Sequence, residues 1–208
     1  MNKEELIEKL TNEGIRVEIL KAIEKVDRKN FVSEKKLNEV YEDHPLSIGY
    51  GQTISQPYTV AFMLQELELK KGDKVLEIGT GSGWNAALIS RLVGEEGKVY
   101  SVEIVQELAE RAKEKLKNYK NIVVLNADAS HGLAEYAPYS KIILTAAPKK
   151  IAEEFREQLA EGGILLAPVG EYTQKLIKLT KKNNKFTETE NGDFFFVPLV
   201  SETKDKML

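Results

Sequence analysis

Residues 75–85, Val-Leu-Glu-Ile-Gly-Thr-Gly-Ser-Gly-Trp-Asn, limit the fold more than any other stretch of this chain. An apolar strand runs directly into glycines at 79, 81 and 83, and a helical pattern begins at once. Glycine removes the Cβ, so the chain can turn tightly and a ligand can approach the backbone. The free N–H groups at the start of the next helix face the same spot. Strand, glycine turn and helix in this order make the nucleotide-cofactor cradle of open α/β sheets.

The surrounding pattern agrees. Strands are expected at 74–78, 99–102, 121–125, 141–145 and 164–169. Between them lie a helix over 82–93, a second marked by Val105, Leu108, Ala109, Ala112 and Leu116, and a third marked by Ile151, Phe155 and Leu159, which Gly162-Gly163 should end. Short apolar strands separated by helices predict a doubly wound α/β fold, a mostly parallel sheet covered on both faces. Beyond Gly170 the spacing shortens to segments at 176–180 and 194–199, with Asn183-Asn184 between them, which predicts an antiparallel C-terminal edge. Residues 3–26 read as two amphipathic helices, one carrying Leu6, Ile7 and Leu10 and the other Ile15, Ile19, Ala22, Ile23 and Val26, with Gly14 as the stop between them. Residues 29–43 form a charged connector whose expected anchors are Phe31, Val32, Leu37, Val40 and Tyr41. Thr59 to Leu67 predicts a helix feeding the first strand.

Composition removes several chemistries. The chain has no cysteine and only two histidines, His44 and His131, so disulfides, a thiol nucleophile and a metal centre are not expected. Net charge is −3 and no long basic run occurs, which disfavours a nucleic-acid partner. Residues 1–5 lack the apolar core of a signal peptide and no segment approaches a membrane span, so a cytoplasmic protein without membrane contact is expected.

Residues 45–65 carry no charge at all in a chain that is 30% charged, and the first part of this stretch is rich in hydroxyls, glycines and aromatics. A plain surface connector here would carry lysines and glutamates. Uncharged chain of this length suits a segment lining a pocket.

A dinucleotide site wants G-x-G-x-x-G, and its third position is occupied here by Trp84, a poor fit for close helix–strand contact. The observed Glu77-x-Gly79-x-Gly81-x-Gly83 instead resembles the first motif of class I methyltransferases that use S-adenosylmethionine. Glu103, closing the second strand, fits the acidic residue that takes the ribose hydroxyls in either cofactor class. Asp128, after the third strand, fits an acceptor for an adenine amino group.

Residues 47–57, Ser-Ile-Gly-Tyr-Gly-Gln-Thr-Ile-Ser-Gln-Pro, narrow the reading further. Together with Glu77 to Trp84, 139–148, Leu-Leu-Ala-Pro-Val-Gly at 165–170 and Phe-Val-Pro-Leu at 196–199, they resemble the protein-L-isoaspartate O-methyltransferase family over roughly residues 15–200. That resemblance implies a Rossmann-like methyltransferase fold and methylation of the free α-carboxyl of L-isoaspartyl residues in damaged proteins and peptides. It implies S-adenosylmethionine bound by Glu77, Gly79, Gly81, Gly83, Glu103, Asp128 and Ala129. It implies Ser55 as the catalytic residue, with Thr53 and Ile54 binding substrate; Val169 and Gly170, at the carboxyl end of the fifth expected strand, are expected beside the substrate because open sheets bind ligands at that edge. The expected organisation is a monomer of one domain: N-terminal helices and substrate loop in 1–60, cofactor core in 70–170, edge strands in 171–200 and a polar tail in 201–208. The chain departs from the family pattern at Ala127 and Ala129, where glycines are common, at Ser140, where aspartate is usual, and at Val200, where a hydroxyl residue is typical. A class I methyltransferase acting on a small molecule or RNA is the alternative, and it gives no reason for the 51–57 block.

The implied chemistry suits these residues. A peptide α-carboxyl has a pKa of about 3.3–3.7, so at neutral pH it is already a nucleophile and needs no general base. Orientation and exclusion of water are the work left to the protein, and positioning of this kind can supply roughly 7–11 kcal/mol.

Overall fold

In the computed structural model, which describes residues 1–201, the alternation of strand and helix builds one seven-stranded sheet and a separate two-stranded hairpin. The strands of the large sheet are β3 (Lys74–Ile78), β4 (Lys98–Glu103), β5 (Ile122–Asn126), β6 (Tyr139–Leu144), β7 (Leu159–Val169), β8 (Gln174–Lys182) and β9 (Lys185–Phe194). Their order across the sheet is β5-β4-β3-β6-β7-β8-β9, parallel from β5 to β7 and antiparallel from β7 onward. β3 therefore sits centrally and its neighbours diverge at its C-terminal end, where open α/β sheets bind ligands.

Alternate residues of each strand feed opposite faces. Val75, Val99, Ile143 and Leu166 pack beneath α1 (Lys3–Asn12), α2 (Val17–Lys25), α3 (Pro57–Leu67), α4 (Trp84–Val93) and α5 (Gln106–Leu116). Leu76, Val102, Ile142, Leu144 and Leu165 pack on the other face with Tyr139 and with Phe155 of α6 (Glu153–Gln158). Asn2 and Glu5 start α1 with a reciprocal capping box. The hairpin, β1 (Leu46–Gly49) and β2 (Gln52–Ile54), turns through Tyr50 and Gly51, both at positive φ.

Three expectations change. The helix before β7 stops at Gln158 rather than at Gly162-Gly163, and those glycines lie inside β7. The pairing shows why: Tyr139 faces Leu159 while Lys141 faces Ile164, so the extra residues of β7 form an irregularity that glycine tolerates. The last edge strand is Lys185–Phe194, not 194–199. The Asn183-Asn184 turn, with φ of 53° and 55°, closes β8 directly onto it. The chain beyond it crosses back, with Ala147 N–H donating to Val197 O (2.8 Å) and Leu199 N–H to Ala147 O (2.9 Å). Leu37 is exposed rather than an anchor, whereas Phe31 and Val40 are buried. Of the expected polar tail, only Ser201 falls within the described residues.

Candidate active site

The glycine turn leaves β3 with Gly79 N–H and Thr80 N–H both donating to Val102 O, at 2.8 and 3.2 Å. A Cβ on Gly79, whose φ is 94°, would lie 2.4 Å from Thr145 Oγ1, so only glycine fits here. Gly83 lies against Leu116 and Ala112 of α5 and provides the close helix contact. Trp84 is buried, and its indole N–H donates to Val26 O at 3.0 Å. The position that spoiled the dinucleotide pattern is the pin that holds α2 against α4.

Glu103 is buried at the end of β4. Its Oε2 accepts Gly81 N–H at 2.8 Å and its Oε1 accepts Val105 N–H at 3.0 Å, which leaves further lone pairs on both oxygens. Glu77 is different. It is fully buried, off the cavity wall, accepting from Asn85 Nδ2 at 2.8 Å and from the Ser101 hydroxyl. Burial pushes its carboxyl up to about 7, a shift that the hydrogen bonds from Ser101 and Asn85 partly oppose. Ser101 continues to Thr80 Oγ1 at 2.6 Å, so the Glu77 carboxyl reaches the turn through the Ser101 side chain.

Asp128 also stands back from the wall, while Ala127, Ala129 and Ser130 line it. Its carboxylate accepts from Ser130 N–H (2.9 Å) and from the Ser201 hydroxyl (3.1 Å). The chain thus has a hydroxyl on Asp128 from Ser201, next to Val200. Neither Ala127 nor Ala129 has a positive φ, so alanine sits there without backbone strain. Ser140 ties β6 to β3, accepting Lys74 N–H at 2.9 Å and donating to Lys74 O at 3.1 Å.

The hairpin lies over the glycine turn: a Cβ on Gly81 would be 3.5 Å from Ile48 Cδ1 and 3.8 Å from Thr53 O. Between them opens a cavity of about 670 Å³ whose wall includes Thr53, Ile54, Ser55, Gly79, Gly81, Glu103 and Ala129. Tyr58, Met63, Phe194 and Phe196 add an apolar side, with Phe62 stacked on both Tyr58 and Phe194. α3 begins at Pro57 and no side chain of its N-cap residue closes it. Asp43 takes the Tyr58 N–H instead, at 2.9 Å. Ser55 is therefore not the helix cap, and its hydroxyl makes no hydrogen bond among the described residues.

Val169 and Gly170 lie off the cavity wall; Gly170 N–H donates to Pro148 O at 3.1 Å, and a Cβ there would meet Thr173 O at 2.8 Å. Both histidines are exposed. Sequence patterning missed Arg28 and Asp43, which sit under the hairpin, and the Phe194 and Phe196 wall. A lone arginine or aspartate in a charged connector has no periodic signature, and the phenylalanines read as strand residues.

The residues present fit a nucleoside cofactor. Glycine at 79 and 81 keeps the floor open, Glu103 offers buried acceptors to a diol, and the volume lies within the range for small-molecule sites.

The geometry has counterparts. A family model described as protein-L-isoaspartate(D-aspartate) O-methyltransferase matches residues 1–204. A protein-L-isoaspartate O-methyltransferase of Ignicoccus hospitalis is 48% identical over 206 residues, covering 96% of this chain and 98% of its own. One from Methanosarcina mazei is 46% identical, covering 95% of this chain and 82% of its own. Among solved structures, a protein-L-isoaspartate O-methyltransferase superposes with a TM-score of 0.87 at 32% identity, over 95% of this chain and 65% of that longer one. A β-aspartate methyltransferase structure from Plasmodium falciparum, in complex with S-adenosyl-L-homocysteine, gives 0.86 at 27% identity, over 96% of this chain and 99% of that one. With the glycine turn, the buried Glu103 and the covering hairpin all in place, this chain belongs to the protein-L-isoaspartate(D-aspartate) O-methyltransferase family.

Proposed function

We propose that this protein is a repair enzyme that methylates the free α-carboxyl of L-isoaspartyl residues in damaged proteins and peptides. The observation that carries the reading is one shared wall: the 53–55 segment and the glycine turn with Glu103 face the same cavity, and family membership supplies the chemistry. Bound S-adenosylmethionine would supply a sulfonium methyl to a carboxylate oxygen, the electron pair of the carbon–sulfur bond staying on sulfur.

This chain's residues have three tasks. Glu103, with Gly79 and Gly81, holds the nucleoside; Ala129 shapes the adenine end, and Glu77 and Asp128 act from behind by fixing the turn and the 127–130 segment. Ser55 donates its hydroxyl to the substrate carboxylate while Thr53 and Ile54 shape its seat. The hairpin and the phenylalanine wall keep water away from oppositely charged groups whose charges vanish together during transfer. No proton has to move, because an α-carboxyl is ionised at neutral pH. The resulting ester closes to a succinimide without the enzyme, the following amide nitrogen attacking the ester carbonyl and methanol leaving. The enzyme acts as a cytoplasmic monomer in this reading; among the described residues, no helix is long and apolar enough to cross a membrane.

The test is methyl uptake from labelled S-adenosylmethionine into an isoaspartyl peptide against its normal-aspartyl twin. Uptake confined to the isoaspartyl peptide is expected; equal uptake, or none with the cofactor bound, overturns the proposal.

A further inference from the structure

Arg28 follows α2 and is 2% exposed. Among the described residues its guanidinium donates to main-chain carbonyls: Nη1 to Val40 O (2.8 Å) and Glu42 O (3.2 Å), and Nη2 to His44 O (3.0 Å), Ser55 O (3.0 Å) and Ile54 O (3.4 Å). The first three belong to the chain entering the hairpin and the last two to the segment leaving it. Arg28 also lies over the Trp84 ring, 5.5 Å from its centroid, and Trp84 follows directly on the glycine turn. One planar group thus touches the entry and exit of the hairpin and the first residue of α4.

From these contacts we infer that Arg28 is the positioning residue for acceptor transfer, setting the Ile54–Ser55 backbone at a fixed height above the glycine turn so that the Ser55 hydroxyl meets the substrate carboxylate. This rests on the proposed carboxyl methylation. A buried arginine fork can satisfy several carbonyls in one plane, which a lysine ammonium cannot. The other side of the same segment is fixed by Asp43, which is held by Lys9 at 2.7 Å and accepts Tyr58 N–H at 2.9 Å and Gln56 Nε2 at 3.2 Å. Residues 54–58 are therefore gripped through carbonyls on one side and through an N–H and a side-chain amide on the other. This grip does not use the Ser55 hydroxyl, which is left for the substrate carboxylate. Burial pulls the guanidinium down to about 10, with Asp43 partly opposing it, so Arg28 stays charged at neutral pH.

The test uses full-length Arg28→Lys and Arg28→Met. Hydrogen exchange is followed by mass spectrometry, S-adenosylhomocysteine affinity by calorimetry, and kcat and KM on an isoaspartyl peptide by initial rates. Expected in both variants is exchange across 46–55 at least tenfold faster, with β3 and β4 unchanged. Turnover on the peptide should fall about 10- to 100-fold, the range for a small misplacement of reacting groups. Affinity for S-adenosylhomocysteine should stay within about twofold. Should Arg28→Met fail to fold, Arg28→Lys, which keeps the stem and the charge, gives the same readouts. Unchanged exchange over 46–55, or cofactor affinity falling by the same factor as turnover, overturns the inference. A parent protein that does not methylate the peptide has lost the functional reading and with it Arg28's role in transfer; parent activity with an equally active Arg28→Met defeats the positioning role alone.

Discussion

Glu103 reaches from the end of β4 to the middle of the glycine turn, where its Oε2 accepts the Gly81 N–H at 2.8 Å. A single carboxylate thereby fixes the floor of the cavity and presents unused lone pairs at the same place.

That double duty predicts a specific failure. Glu103→Ala should weaken S-adenosylhomocysteine binding by about 10- to 100-fold, since hydrogen bonds to a charged group are worth about 1.5–3 kcal/mol. Calorimetric titration reads this directly, and unchanged affinity would remove Glu103 from the cofactor site.

Ser55→Ala should behave in the opposite way. The hydroxyl makes no hydrogen bond among the described residues, so melting temperature and cofactor affinity should hold. Turnover on an isoaspartyl peptide should fall at least about tenfold, as expected for loss of a hydrogen bond to a charged group. A variant as active as the parent would falsify the assignment.

Glu77 makes stability depend on pH. Its folded pKa, raised by burial to about 7, lies above the ordinary 4.5. Between those values the folded state binds the extra proton, so this contribution is fully present below pH 4.5 and is lost as pH rises through 7. Glu77→Gln removes the titration, and the Ser101 hydroxyl can turn to accept from the new amide. The variant should gain on the parent from pH 5 to pH 8, with a ceiling on the order of 3 kcal/mol. Urea melts across that range measure it, and a difference independent of pH would contradict the burial argument.

The β8–β9 turn can be improved. Asn183 and Asn184 both hold positive φ, a conformation that costs glycine little. Asn184→Gly should raise stability by about 0.5 kcal/mol without changing turnover, because the left-handed strain relieved, about 1–2 kcal/mol, outweighs glycine's extra freedom when unfolded, about 0.5–1 kcal/mol. A lower melting temperature would show that the asparagine side chain contributes more than its backbone costs.

The central parallel strands and their helices were legible because burial on both faces enforces continuous apolar runs, and 74–78 was delimited by its own sequence. The edges were not. Gly162-Gly163 reads as a helix stop, yet inside β7 it is an irregularity whose need arises only from pairing with β6. Residues 194–199 read as strand because they are apolar, but the mostly polar 185–194 won the ladder against β8, and Phe194 and Phe196 came to line the cavity.

Local pattern determined the cradle and its hydroxyl-bearing partner segment, since positive φ, close backbone approach and absence of charge are properties a few residues carry by themselves. Tertiary structure decided what those residues face. It set Glu77 and Asp128 behind the wall, left Val169 and Gly170 off it, and brought Arg28 beneath Ser55 across 27 positions of chain. Such contacts depend on how β4, the hairpin and the N-terminal helices pack, and no short-range periodicity encodes them.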